Sequence, residues 1–215
     1  MTLLYNDHKI KPRELAHERD DGKLNPQITK LPSIRNRQGE PISLQDAINE
    51  IRGNHYRAQI NRIRNCGNKG TRDKFKSSLP CFMFSGYWPD ASGSTKEPET
   101  ESRLVCIDID AIEPDKIEQI QEHCKSNCPH IVASFVSPSG RGVKLLYQHQ
   151  RKTYDEGWID ASEYVRKAYE VAADEAAKDF KRLCFVSHDE HAILNEHAEP
   201  LPHQAPKSNL IEFEG

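Results

Sequence analysis

From Arg103 onward, short apolar runs alternate with helical stretches in an order that few folds accept. A strand-like run at 103–109 precedes a stretch at 114–126, opened by Pro114, a residue suited to a helix's first turn. A second strand is expected at 130–136, then a Gly-rich turn and a third strand at 143–149. A helix follows at 160–177, with Asp160 or Ser162 as cap, and a last strand runs Arg182-Leu183-Cys184-Phe185-Val186-Ser187. The order β-α-β-β-α-β predicts an α+β fold with a ferredoxin-like, RRM-like core. Right-handed crossovers give it the strand order 4-1-3-2, with the first strand central.

Upstream the signals are weaker. Residues 1 to about 40 are polar and punctuated by Pro12, Pro26 and Pro32, and read as an extended arm. Ser43 is a good N-cap for a helix over Leu44–Ile51. A second helical stretch runs through Tyr56, Ile60 and Ile63 to Gly67 and Gly70. Ser78–Phe84 reads as a strand closed by Ser85-Gly86, and Pro89–Glu101 as a polar loop. The expected organisation is an N-terminal arm with a basic helical and strand accessory element at 1–75, a core at 76–190 and a polar tail at 191–215.

Net charge is only −3, which excludes a uniformly basic nucleic-acid coat. Yet eight Lys/Arg lie between Arg52 and Lys76 against the single acid Asp73. Within that run Arg57, Arg62, Arg64, Lys69, Arg72, Lys74 and Lys76 are candidates to track a phosphate backbone, or else form a solvated face. Tyr87 and Trp88 are available for base stacking. The six cysteines form no disulfide framework, and no apolar run reaches membrane-spanning length, so a reducing cytoplasm and no membrane partner are expected. His123-Cys124 to Cys128-Pro129-His130 has zinc-binding residue types, but its Cys-x3-Cys spacing at a helix end lacks a second knuckle.

The chemistry concentrates in Val105-Cys106-Ile107-Asp108-Ile109-Asp110. On a strand, two aspartates spaced i, i+2 share one face. Two such charges about 4 Å apart repel by roughly 4 kcal/mol at an effective dielectric near 20. A divalent cation between them relieves that repulsion; the alternative is a strand end facing water. In the 4-1-3-2 order that end meets the turn Ser137-Pro138-Ser139-Gly140-Arg141-Gly142, which leads into Lys144, and Arg182, preceded by Asp174 and Asp179. Gly140 and Gly142 let backbone amides approach phosphate oxygens, Ser137 or Ser139 donates a hydroxyl, and Arg141, Lys144 and Arg182 supply charge. The same turn is also what a plain hairpin requires.

Taken in order, hydrophobic-Asp-x-Asp, Ser-Pro-Ser-Gly-x-Gly-x-Lys, then Asp followed eight positions later by Arg-Leu-x-Phe-x-Ser resemble the archaeo-eukaryotic primase superfamily. The primase-polymerase branch is the most similar, especially VirE-N-terminal-like domains of mobile elements and their CRISPR-associated relatives. The resemblance spans about residues 55–190 and includes Lys76-Ser77-Ser78-Leu79-Pro80-Cys81. It implies an RRM-like catalytic palm in which Asp108, Asp110 and Asp174 hold two Mg2+ or Mn2+ ions, with Asp179 and Asp189 flanking the same strand as other candidates for the third acid. It further implies nucleoside triphosphates as substrates, a single-stranded DNA template and primer, helicase or CRISPR components as partners, and a bacterial, phage or plasmid setting. Where many members carry His in the second motif this chain has Lys144. A non-catalytic single-strand-binding module and a metal-dependent nuclease are the competing expectations.

Overall fold

The computed structural model describes residues 22–92 and 97–202. The arm's first 21 residues, part of the expected polar loop and the last part of the tail lie outside them. The described residues form a mixed α+β structure with five α-helices and antiparallel sheets. Its elements are β1 (Gln27–Leu31), β2 (Glu40–Ser43), α1 (Leu44–Arg52), α2 (Arg57–Arg64), α3 (Lys69–Lys76), β3 (Cys81–Met83), β4 (Gly86–Tyr87) and β5 (Thr100–Glu101). There follow β6 (Leu104–Asp110), α4 (Pro114–Ser126), β7 (Ile131–Val136), β8 (Gly142–Gln148), α5 (Tyr154–Tyr169), β9 (Cys184–Phe185) and β10 (Ile193–Leu194).

One sheet has the order β10-β7-β8-β6 and separates two cores. Side chains alternate across it. Val105, Ile107, Ile109, Val143, Leu145 and Tyr147 face α4 and α5, where Ile120, Trp158, Ala161 and Val165 complete an apolar layer. Leu104, Cys106, Phe135 and Leu146 face the other way, onto Ile28 of β1, Phe82 of β3, and Ile48, Ile60 and Ile63 of α1 and α2. The N-terminal elements are thus a lid over the second face. β1 pairs with β3, and β10, in the expected tail, pairs with β7, so the pairing crosses both expected boundaries.

Two of the three expected strand pairings hold: β6, β8 and β7 correspond to strands one, three and two in the order 1-3-2. The fourth strand departs from the expectation. β9 pairs with β3 in the second sheet, β2-β1-β3-β9, and not with β6. The reason lies in β3, which is buried throughout, so its backbone polar groups must be met on both edges. β1 meets one and β9 the other. The vacated edge of β6 is met by Asp174, whose backbone N–H donates to the Asp108 carbonyl at 2.8 Å.

The last long helix also differs. It begins at Tyr154, because Thr153 and Glu156 form a reciprocal capping box, and ends at Glu170, which turns left-handed at φ 55°. Asp174 is therefore outside the helix, capping a short 3-10 turn over Glu175–Lys178. The second helical stretch is α2, and a further helix not expected there, α3, follows it with Asn68 as cap. No described helix is long and apolar enough to cross a membrane.

Candidate functional site

The acidic run is the last part of β6, and its alternation puts Asp108 and Asp110 on the face away from α4 and α5. Asp108 is buried, Asp110 is exposed and Asp174 is half-buried. One carboxylate oxygen from each comes within 4.8 Å of the other two. Among the described residues this is the only group of three or more His, Cys, Asp or Glu gathered closely enough to hold a metal. Asp174 reaches it by the main-chain bond to Asp108, with Arg182 anchored 3.4 Å from its Oδ2.

The other two acids that flank the last strand do different work. Asp189 is buried and accepts from the Val136 amide at 2.8 Å, the Gln121 side chain at 2.9 Å and the His191 amide at 3.0 Å. It is a structural tie. Asp179 is exposed on the cleft wall and accepts from the Lys181 amide at 2.9 Å.

Lys144 sits opposite Asp108 in the β6–β8 register, and its ammonium contacts Asp108 Oδ2 directly. Both side chains are nearly buried, 11% and 8% exposed, so the ammonium, which lines the cleft, is already engaged by Asp108. Burial pushes the Asp108 carboxyl above its ordinary value; Lys144 opposes this and Asp110 adds to it. For Lys144 burial acts to lower the ammonium, but Cys184, Asp108 and Cys106 beside it prevail and hold it above the ordinary lysine value. The second oxygen of Asp108, Oδ1, is buried with no hydrogen-bond partner. A buried unpaired carboxylate oxygen within a cluster of hard oxygen donors fits a hard divalent cation.

The turn 137–142 is first of all a hairpin. Gly140 is left-handed at φ 70°, its amide donates to the Ser137 carbonyl, and the Ser137 amide donates to the Gly142 carbonyl. Arg141 donates its amide to Ser139 Oγ at 3.4 Å, and the Ser137 and Ser139 hydroxyls lie 3.0 Å apart. The Ser137, Gly140 and Arg141 amides are thus already paired within the turn. A Cβ on Gly142 would come 2.2 Å from the Ile109 carbonyl and 3.0 Å from Asp110 Oδ1, so only glycine lets β8 pass the acids this closely.

A cleft of about 690 Å³ opens over the acids. Asp108, Asp110, Ser137, Ser139 and Lys144 line it together with four further cations, Arg37, Lys76, Lys181 and Arg182. Arg141 is exposed and is not part of this lining. Arg37 and Lys181 were not singled out from the sequence. Lys181 adjoins Arg182 and was within reach of that reasoning; Arg37 lies in a polar segment with no local signal.

The basic run divides in two. Arg64 is internal: it donates to the Ser137 carbonyl at 3.3 Å and the His188 carbonyl at 2.9 Å, and its side chain packs over Gly140. These contacts make it a clamp on the hairpin. Arg62 stacks 4.0 Å from the centre of the Phe75 ring, Arg72 donates to the Cys66 carbonyl at 3.4 Å, and Arg57 pairs with Glu190 at 3.3 Å. Lys69 and Lys74 are exposed. Trp88 is fully buried and cannot stack on a base, whereas Tyr87 is half-buried. Cys124 and Cys128 are buried beside the Tyr169 and Tyr164 hydroxyls.

No curated protein and no solved structure matches the chain. Residues 74–193, from the end of α3 to the start of β10, match the family described as BT4734-like, N-terminal domain. Since that is more than half of its length, the protein belongs to the BT4734-like N-terminal domain family.

Proposed function

We propose that the chain is a DNA primase-polymerase, a nucleotidyltransferase that joins nucleoside triphosphates on a single-stranded template, with the β6–β8 region as an RRM-like palm. The observation that carries this reading is the meeting of Asp108, Asp110 and Asp174 within 4.8 Å, with Asp108 and Asp110 opening onto a cation-lined cleft. Those three carboxylates would hold Mg2+ or Mn2+, which when bound supplies Lewis acidity to phosphoryl oxygens. Arg182, Lys76 and Arg37 line the cleft where a triphosphate's charge needs neutralising. Arg182 also steadies Asp174. Lys69 and Lys74 on α3 extend positive charge from the Lys76 wall toward a template strand. Helicase or CRISPR components are the partners this reading favours.

A second reading has one observation in its favour. Lys144 already neutralises Asp108, as befits a fold kept for single-strand binding alone. Incubating a labelled single-stranded template and primer with nucleotides and Mn2+ separates the cases. Extension supports the polymerase, cleavage a nuclease, and salt-sensitive retention without either supports the binding module. Asp110→Asn, at an exposed position, should abolish extension while leaving the fold intact; full extension by that variant refutes the proposal.

A further inference from the structure

Resting on the metal reading above, we propose that the Lys144 ammonium occupies the place of a second cation in the acidic cluster. The protein by itself then takes one divalent ion, and a second arrives only with a polyphosphate ligand. Three observations converge on this. First, the three acidic oxygens lie within 4.8 Å of one another. An octahedral ion with bonds near 2.1 Å spans about 4.2 Å between opposite ligands, so one oxygen from each acid gathers around a single ion. Second, paired ions in phosphoryl-transfer sites sit about 3.5–4 Å apart and share a bridging carboxylate. Asp108 is the buried, central acid, and the oxygen it would turn to a second ion, Oδ2, is covered by Lys144 Nζ. Third, charge is nearly balanced without a second ion. Three carboxylates face Lys144 and Arg182, which leaves one negative charge. One divalent ion makes the cluster positive, and another is repelled until phosphate oxygens join it.

The geometry also explains why lysine serves here. An ammonium is a compact point charge with three donors and cannot itself coordinate a metal. Directly across the β6–β8 register it meets Asp108 from the side, leaving Oδ1 for the ion.

The test is Mn2+ titration of the whole chain, followed by electron paramagnetic resonance and by thermal melting, neither of which depends on activity. Wild type should bind one Mn2+ per chain with an uncoupled six-line spectrum. Lys144→Met and Lys144→Gln remove the charge; each should bind a second Mn2+ with dipolar broadening and show a larger Mn2+-induced rise in melting temperature. The first ion should bind about tenfold or more tightly in these variants, because a unit and a double charge ~5 Å apart repel measurably even at the dielectric of water. Lys144→Arg should stay at one. Two ions on wild type overturn the inference, as does an unchanged count in whichever neutral variant folds. A neutral variant that folds only with Mn2+ supports it, since ion and ammonium have exchanged places; failure of both to fold even with Mn2+ overturns it. If wild type binds no Mn2+ at all, the metal reading itself falls, which the other outcomes leave standing.

Discussion

Asp189→Ala should unfold the protein more readily without touching the acidic cluster. The carboxylate is 8% exposed and ties three donors from separate segments: the Val136 amide, the Gln121 side chain and the His191 amide. Removing it leaves the Val136 N–H without a partner, which costs about 1–3 kcal/mol. Gln121 and His191 lie nearer the surface and recover water, so each contributes roughly 0.5–1.5 kcal/mol. The expected total is about 3 kcal/mol, or a fall of ~6–12 °C in melting temperature at 2–4 °C per kcal/mol for a chain of this size. Urea and thermal melts followed by circular dichroism provide the measurement. Asp174→Asn is the matched control. Asparagine still caps the 3-10 turn, and the main-chain bond to Asp108 remains, so stability should move by less than about 1 kcal/mol while Mn2+ binding is lost. A loss under 1 kcal/mol for Asp189→Ala, or loss of Mn2+ binding by that variant while folded, refutes the division of labour between these two acids.

Two further expectations follow from buried groups. The His149 ring is 3% exposed, packs against Gly157, and has both nitrogens unpaired; burial and then Arg103 hold its pKa down to about 4. The unfolded chain takes up that proton first, so stability is lost as pH falls from 6.5 toward 4, by up to about 3 kcal/mol beyond the loss in His149→Phe, read as urea midpoints across that range. Among the cations, Arg64→Ala should destabilise by about 2 kcal/mol by freeing the Ser137 and His188 carbonyls. Lys69→Ala and Lys74→Ala should leave the melt unchanged and each flatten the salt dependence of oligonucleotide binding by about 0.7 in log–log slope, measured by fluorescence anisotropy.

What could be read from residues alone follows the range of each signal. The strands and helix between Arg103 and Gln148 were legible because their apolar periodicity is local. The i, i+2 aspartates and the Gly-rich turn met across adjacent strands for the same reason. The start of α5 was also written locally, in Thr153 and Glu156, but Asp160 and Ser162 are equally ordinary caps and no periodicity separates them. β9 was different in kind. A two-residue strand has no pattern of its own, and its partner was decided by the unmet edge of β3, about a hundred residues earlier. Arg64 looks like its surface neighbours until the fold brings Ser137 and His188 to it. Asp174 joined the acids for a reason no motif contains, a main-chain tether to Asp108.

The sheet face that carries Cys106, Phe135 and Leu146 is roofed by β1, α1 and α2, all of which precede the family-matched stretch. A chain holding only that stretch keeps an apolar floor covered in part, by Phe82, Phe84 and Val186. The rest of the roof comes from outside the matched stretch, so residues 74–193 alone would leave part of this face bare to water, and the unit that closes the core is larger than the unit the family shares.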